Sequence, residues 1–379
     1  MYKDVYVTKT SHFLPNEAVD NEKMEDYLGK IKGLKSKAKS IILKRNGISQ
    51  RYYALDKEGN FTHTNVDLTV EAIKKLTDEN FGIKDIQLLT CGTASPDYLM
   101  PSHANMVQGK LDCNAIDSMS PSGSCNSAMW ALNYAIMSLQ LGKQENAVCT
   151  GSERISTWML SKNFEEESSH LEALGNNPYI AFEKEFLRWM LSDGAAALLL
   201  QNKPSEKGIS LKVDWIEIRS YSHLVEACMY AGGVKNETGD LIPWRNFTSS
   251  ELINQTVLSL KQDARLLENN VVKLGDLFLE DLIEKYNLTP DNIDYFLPHL
   301  SSNFFRSKIY DGIKSIGFEI PEEKWFTNLH KYGNVGAASG FLMLDELFNS
   351  GKLVKNNKIL VMIPESARFS YTFLHLTVV

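Results

Sequence analysis

The chain alternates between two hydrophobic periods. Residues Val66 to Leu76 repeat apolar positions every three or four residues and predict an amphipathic helix. Asp85 to Cys91 (DIQLLTC) is a short apolar run that predicts a buried strand. The pair recurs, with a largely apolar helix over Asn126 to Gln140 and a strand over Asn146 to Thr150 (NAVCT). The opening Met1-Tyr-Lys-Asp-Val-Tyr-Val-Thr alternates like a strand and carries charges, unlike the apolar core of a signal peptide. Strands alternating with helices imply βαβ units, hence an α/β fold with a mostly parallel sheet covered on both faces. Residues Asn163 to Arg188 break the rhythm with Glu165-Glu166-Glu167 and Gly175-Asn176-Asn177-Pro178, and read as an inserted cap or loop. Lys203 to Gly208 (KPSEKG) is the most linker-like stretch. It divides the chain into an N-terminal half, 1–205, and a C-terminal half, 206–379.

The second half repeats the first. Asn80 to Gly92 matches Asn287 to His299 at an offset of 207 residues, each a turn followed by a buried strand. Cys125 opens a helix that meets Gly142-Lys143 after 17 residues, and Asn334 opens one that meets Gly351-Lys352 after the same 17. Both lead into an apolar strand, NAVCTGSE in one half and KILVMIPES in the other. Several elements in one order at nearly equal spacing imply a duplicated βαβ-type unit. In open parallel sheets reactive groups collect where strands end and helices begin. Two such halves facing each other bring Cys125, His299 and Asn334 to one shared cleft.

Composition narrows the class. The 379 residues carry 40 Lys+Arg against 47 Asp+Glu, a net charge of -7, so a general nucleic-acid binder is not expected. Hydrophobic residues at 43% supply a continuous core, yet no run approaches the roughly 18 apolar residues of a membrane helix. The five cysteines are scattered without a C-x-x-C pair, which fits neither a disulfide framework nor a zinc site. A reducing cytoplasm is the expected compartment. The histidines lack metal-ligand spacing, and no glycine-rich phosphate loop follows a strand, so neither a metal nor a bound cofactor is expected.

Cys125 sits in Pro121-Ser-Gly-Ser-Cys-Asn-Ser-Ala128, a small-residue turn before a helix. A helix amino end stabilises a thiolate and would lower the thiol pKa. Taken alone, the motif reads as readily as a small core cysteine. His299 ends the strand Tyr295-Phe-Leu-Pro298, within reach of a cleft, and by itself also fits a satisfied half-buried histidine. Asn334, in Lys331-Tyr-Gly-Asn-Val-Gly-Ala-Ala338, would alone be a helix cap. Together, Cys, His and Asn point to nucleophilic acyl transfer. If the helix activates the thiol, His299 and Asn334 are left as two donors able to stabilise the enolate formed when a malonyl group loses CO2.

These three motifs resemble those of the β-ketoacyl-ACP synthase III family, within the thiolase superfamily. Ser192-Asp-Gly-Ala-Ala-Ala197, Ser95-Pro-Asp-Tyr-Leu-Met-Pro-Ser102 and Lys44-Arg-Asn-Gly-Ile-Ser-Gln-Arg51 also have family counterparts, and the match runs nearly end to end. The resemblance implies a five-layered αβαβα fold and a homodimer. It also implies a ping-pong Claisen condensation, with Cys125 acylated first and a malonyl or β-ketoacyl carrier thioester bound against His299 and Asn334. Substrates would ride on the phosphopantetheine of acyl carrier protein or CoA. The family's glycine-rich C-terminal turn is replaced by Pro364-Glu-Ser-Ala-Arg-Phe369, where the N–H of Ala367 would complete an oxyanion hole with that of Cys125. The family's adenine-stacking tryptophan is Ile41 here, which favours an acyl chain on a carrier protein over acyl-CoA. The His-x-Ser-Ser and Pro-Glu-Ser-x-Arg-Phe features resemble a branch that joins two acyl chains in dialkylresorcinol and aryl-polyene-type lipids.

A carrier protein is acidic, so local positive charge is informative. Lys30, Lys32, Lys35, Lys37, Lys39, Lys44 and Arg45 form a cluster without an acid, equally readable as a solvated helix face. Arg45, Arg306, Lys308 and Lys314 are the candidate carrier-protein or pantetheine contacts. Two alternatives stay open: an acyltransferase that does not decarboxylate, and a non-catalytic partner subunit of a ketosynthase.

Overall fold

The computed structural model describes residues 2–36, 39–164 and 186–379. Nine strands form its main sheet: β1 (Tyr6–Phe13), β2 (Leu88–Gly92), β3 (Asp117–Met119), β4 (Asn146–Glu153), β5 (Gly194–Gln201), β6 (Leu211–Ser220), β7 (Tyr295–Pro298), β8 (Lys358–Glu365) and β9 (Ser370–Val378). Across the sheet they run β7-β8-β9-β6-β1-β5-β4-β2-β3. Outward from the β6–β1 junction the two arms repeat one pattern. Each arm has two antiparallel pairings followed by a parallel one, β6-β9-β8-β7 on one side and β1-β5-β4-β2 on the other.

The sheet is therefore mixed, not mostly parallel as the alternation of elements suggested. Apolar runs report burial and carry no sign of strand direction. The link from Glu365 to Ser370 is a tight turn, which returns the chain antiparallel to β8. The first buried strand also starts late, at Leu88, because Ile83–Asp85 forms a 3-10 turn with the Asp85 carboxylate on the Gly82 N–H at 2.8 Å.

Six helices cover the arms: α1 (Asn65–Lys74), α2 (His103–Lys110), α3 (Ser127–Gln140), α4 (Ala264–Tyr286), α5 (Phe304–Ser315) and α6 (Ser339–Phe348). Strand side chains alternate between their layers. On β5, Ala196, Leu198 and Leu200 join a middle core with α3 and α6, while Ala195, Ala197 and Leu199 pack with α1 and α2. On β8, Ile359, Val361 and Ile363 enter the same middle core, and Leu360 and Met362 pack with α4 and α5. The layers are thus αβαβα. Burial on both faces explains why β5 reads as the unbroken apolar run GAAALLL.

Of the inserted segment expected over 163–188, residues 165–185 lie outside those described. No helix among the described residues is long and apolar enough to cross a membrane.

Candidate active site

The ends of β4, β7 and β8 and the turns before α3 and α6 surround a narrow cavity of about 50 Å³. Cys125, Glu153, His299 and Asn334 are among its lining residues, as are the apolar Leu187, Leu191, Leu267, Val271, Phe305 and Ile309. The polar groups thus sit beside an apolar recess bounded by α4 and α5.

Cys125 lies two residues ahead of α3, half-buried. The start of α3 is pinned by Asn126, fully buried, whose amide donates to Ser370 Oγ at 3.0 Å and whose oxygen accepts from Thr372 Oγ1. At Gly92 a Cβ would fall 2.3 Å from the Ala128 nitrogen, so β2 ends flush against α3 and only glycine fits there. Glu365, the last residue of β8, accepts the N–H of Ser124 at 3.0 Å and of Asn126 at 3.1 Å.

The helix was expected to lower the Cys125 pKa, and the structure shows the reverse. Burial, then the carboxylates of Glu365 and Glu153, raise it well above the ordinary thiol range. The N–H groups flanking the cysteine are already satisfied by an anion, so little of the helix's positive end remains for a thiolate.

His299 follows β7 directly. Its N–H donates to the Met362 carbonyl at 2.8 Å, fixing the residue against β8. The side chain is buried and Nε2 has no hydrogen-bond partner among the described residues. Burial without a neighbouring acid lowers its pKa to about 4, so the ring is neutral.

Asn334 was expected to open a helix, but a 3-10 turn, Gly336–Ala338, intervenes and α6 begins only at Ser339. The 17-residue spacing hid this extra turn. The backbone of Asn334 is held on both sides, its N–H on the Met190 carbonyl (3.0 Å) and its carbonyl on the Ser192 N–H (2.9 Å). Its side-chain oxygen accepts the Gly336 N–H at 3.0 Å, which leaves the NH2 as the donor available to the cavity. The neighbouring Asp193 is wholly structural, accepting from the backbone of Ala54, Ile155 and Ser156.

Glu153 ends β4 and is fully buried. One oxygen accepts the N–H of Ala94 (3.1 Å) and of Ala337 (3.0 Å), the other the hydroxyls of Ser95 (2.5 Å) and Thr93 (3.4 Å). Burial outweighs these donors and raises its pKa to about 7. Gly336, at φ +48°, passes so close that a Cβ would lie 2.7 Å from the carboxylate.

The other expected residues are more dispersed. Ala367 lies in the turn between β8 and β9, its carbonyl accepting the N–H of Cys228 (2.8 Å) and Met229 (3.2 Å). Arg306, Lys308 and Lys314 are paired with Glu322 (2.7 Å), Glu268 (2.6 Å) and Glu319 (2.9 Å). Arg45 is exposed on the last turn of the helix Lys39–Asn46. The Asn46 carbonyl at that helix's end accepts the Asn303 N–H at 2.9 Å, which sets it against the start of α5. Within the early basic cluster Lys39 is paired with Glu25 at 3.1 Å, and Lys37 lies outside the described residues.

Two family models match the chain in order. Residues 52–205 match the beta-ketoacyl synthase N-terminal domain and residues 283–363 the 3-oxoacyl-[acyl-carrier-protein] synthase III C-terminal domain. The beta-ketoacyl-[acyl-carrier-protein] synthase III of Clostridium perfringens is 25% identical over 352 residues, covering 92% of each chain. The chain belongs to the β-ketoacyl-ACP synthase III-like condensing enzymes. The synthase III of Aliarcobacter butzleri is also 25% identical, covering 84% of each chain. Solved structures share the thiolase-like fold of this condensing enzyme. They include the tetronic acid condensing enzyme AbyA1 (TM-score 0.76, 21% identity, 98% of this chain and 99% of that one). Xanthomonas campestris OleA with bound lauric acid and lauroyl-CoA superposes over 100% of both chains (TM-score 0.75, 19% identity).

Sequence reasoning missed Glu153, which lines this enzyme's cavity, and Glu365, which holds the turn of Cys125 behind it. The signal was present: NAVCTGSE and KILVMIPE, aligned as repeats, both end in glutamate.

Proposed function

We propose that the enzyme is a ketosynthase catalysing a decarboxylative Claisen condensation. Cys125 exchanges its thiol proton for the acyl group of a carrier thioester, giving Cys125 S-acyl and a free carrier thiol. A malonyl carrier thioester then occupies the cavity. Loss of CO2 from the malonyl group leaves an enolate, which attacks the acyl carbonyl and expels the Cys125 thiolate. His299, as the Nε2–H tautomer, and the Asn334 amide donate to the enolate oxygen, while the N–H groups of Cys125 and Ala367 serve the acyl oxygen.

The observation that carries this reading is the unpaired Nε2 of a neutral, buried His299 in the cavity that holds Cys125 and Asn334. A buried donor without a partner is costly, and an oxyanion would satisfy it. The apolar walls suit an acyl chain, in fatty-acid, polyketide or dialkylresorcinol-type lipid biosynthesis. Acyl carrier protein would dock where the helix carrying Arg45 abuts the start of α5, which carries Arg306, exchanging exposed ion pairs worth no more than about 1 kcal/mol each for contacts to its acids. A cytoplasmic homodimer completes the reading. It is supported by the exposed apolar Trp130 and Met137 of α3 beside edge strand β3.

Acyl transfer without decarboxylation would need a general base, and Glu153 is the cavity carboxylate of suitable pKa. Its four accepted hydrogen bonds commit it to structure instead. A non-catalytic subunit would have no use for the polar trio. The test is CO2 release from malonyl carrier protein: His299→Ala and Asn334→Ala should each reduce it about 100-fold or more. Undiminished release in both variants would refute the two-donor reading.

A further inference from the structure

Glu153 and Glu365 are copies of one position. Each is the eighth and last residue of its strand, β4 or β8, and those strands occupy equivalent places in the two arms of the sheet. Each reaches into the opposite half. Glu153, from the N-terminal half, accepts the N–H of Ala337 in the turn that carries Asn334. Glu365, from the C-terminal half, accepts the N–H groups on either side of Cys125. We propose that Glu153 and Glu365 are a crossed pair of positioning residues, each holding the reactive turn of the opposite half, and that the charge of Glu365 restrains the reactivity of Cys125.

Holding a turn does not require a charge. A neutral side-chain oxygen can accept the same N–H groups, as Thr64 does at the start of α1. A carboxylate at this place adds a negative field against the sulfur. The titratable groups that face Cys125 are Glu365 from β8, Glu153 from β4 and His299 from the end of β7. No Lys or Arg is among the described residues lining the cavity, so the field is uncompensated there. A thiol kept protonated is a poor target for adventitious electrophiles. The pair therefore guards the nucleophile between turnovers. That consequence rests on Cys125 being the acylated residue; the restraint itself does not.

The experiment is the pH profile of Cys125 alkylation by iodoacetamide, followed by peptide mass in the full chain. Cys113, the other incompletely buried thiol, serves as internal control. Wild-type Cys125 should reach half its limiting rate above the ordinary thiol value of about 8.5. Glu365→Gln should move that midpoint down by about one pH unit, an approximately tenfold gain at neutral pH, with Cys113 unchanged. Glu153→Gln should move it less, in the same direction. A Glu365→Gln profile superimposable on wild type would overturn the restraint. So would a wild-type midpoint at or below the ordinary value, which decides the matter even if the variant fails to fold. Shifted alkylation without thioester loading would reject the acyl-transfer reading alone; loading with unshifted alkylation would reject the restraint alone.

Discussion

The carboxylate of Glu365 holds the backbone on both sides of Cys125, bonding the N–H of Ser124 at 3.0 Å and of Asn126 at 3.1 Å. A residue 240 positions further along the chain thus fixes the turn of Cys125. It also occupies the N–H groups that the sequence suggested would stabilise a thiolate. The turn that carries Cys125 is built across the two halves of the molecule, and its stability and reactivity follow from that.

Glu153 gives the first prediction. Its folded pKa of about 7 lies above the ordinary carboxylate value, so the native state favours the protonated form. The associated stability is full below the ordinary carboxylate range and is lost as pH rises through 7. Glu153→Gln should flatten that loss, a differential on the order of 3 kcal/mol between pH 4 and pH 8. Urea midpoints at the two pH values measure it. Equal pH dependence in variant and wild type would show that Glu153 does not titrate in this window.

His299 behaves oppositely. Its pKa is depressed to about 4, so its neutral-form stability is present above the ordinary histidine value and lost as pH falls towards 4. CO2 release should therefore show no acid limb near pH 6.5. Loading of Cys125 should survive in His299→Ala while CO2 release collapses. A limb near 6.5 that disappears in the variant would show that the ring titrates normally.

The apolar recess between α4 and α5 should set chain length. Val271→Phe places a larger side chain in the recess that Phe305 also lines, at a packing cost of about 1–3 kcal/mol. The longest acyl group loaded from a graded series of thioesters should shorten, with short chains unaffected. Unchanged selectivity would place the acyl chain elsewhere.

Phe369 tests the turn that replaces the family's glycines. It is fully buried yet held at φ +57°, a conformation that favours glycine. Losing its side chain should cost about 3–5 kcal/mol, far more than the roughly 1–2 kcal/mol of backbone strain relieved. Both Phe369→Ala and Phe369→Gly should destabilise, with the glycine variant about 1 kcal/mol the less affected, reversing the usual order. Thermal melts showing alanine the more stable would refute the strain.

How far the sequence reached follows from what each feature encodes. The helices over Asn65–Lys74 and Ser127–Gln140 were legible because their apolar periodicity is local. The duplication was legible as spacing, which alone directs Cys125, His299 and Asn334 to one cleft. Strand direction was not, since Gly194–Gln201 is equally apolar in either sense. The thiol's true environment was hidden as well. It depends on Glu365, whose contact with residues 124 and 126 exists only after the two halves pack. The pairing of Arg306, Lys308 and Lys314 with glutamates 5 to 40 residues away was hidden too, because it forms only once the elements of the C-terminal half fold together.

The central claim is that Cys125 carries an acyl group which a malonyl thioester then takes up. Intact mass of the full chain, after exposure to acyl carrier protein and CoA thioesters and then to malonyl carrier protein, tests it most directly. The account predicts a stable acyl mass gain in wild type and His299→Ala, none in Cys125→Ala, and clearance by malonyl carrier protein with CO2 release in wild type only. An adduct that persists in Cys125→Ala, or no adduct from any thioester in wild type, would contradict it.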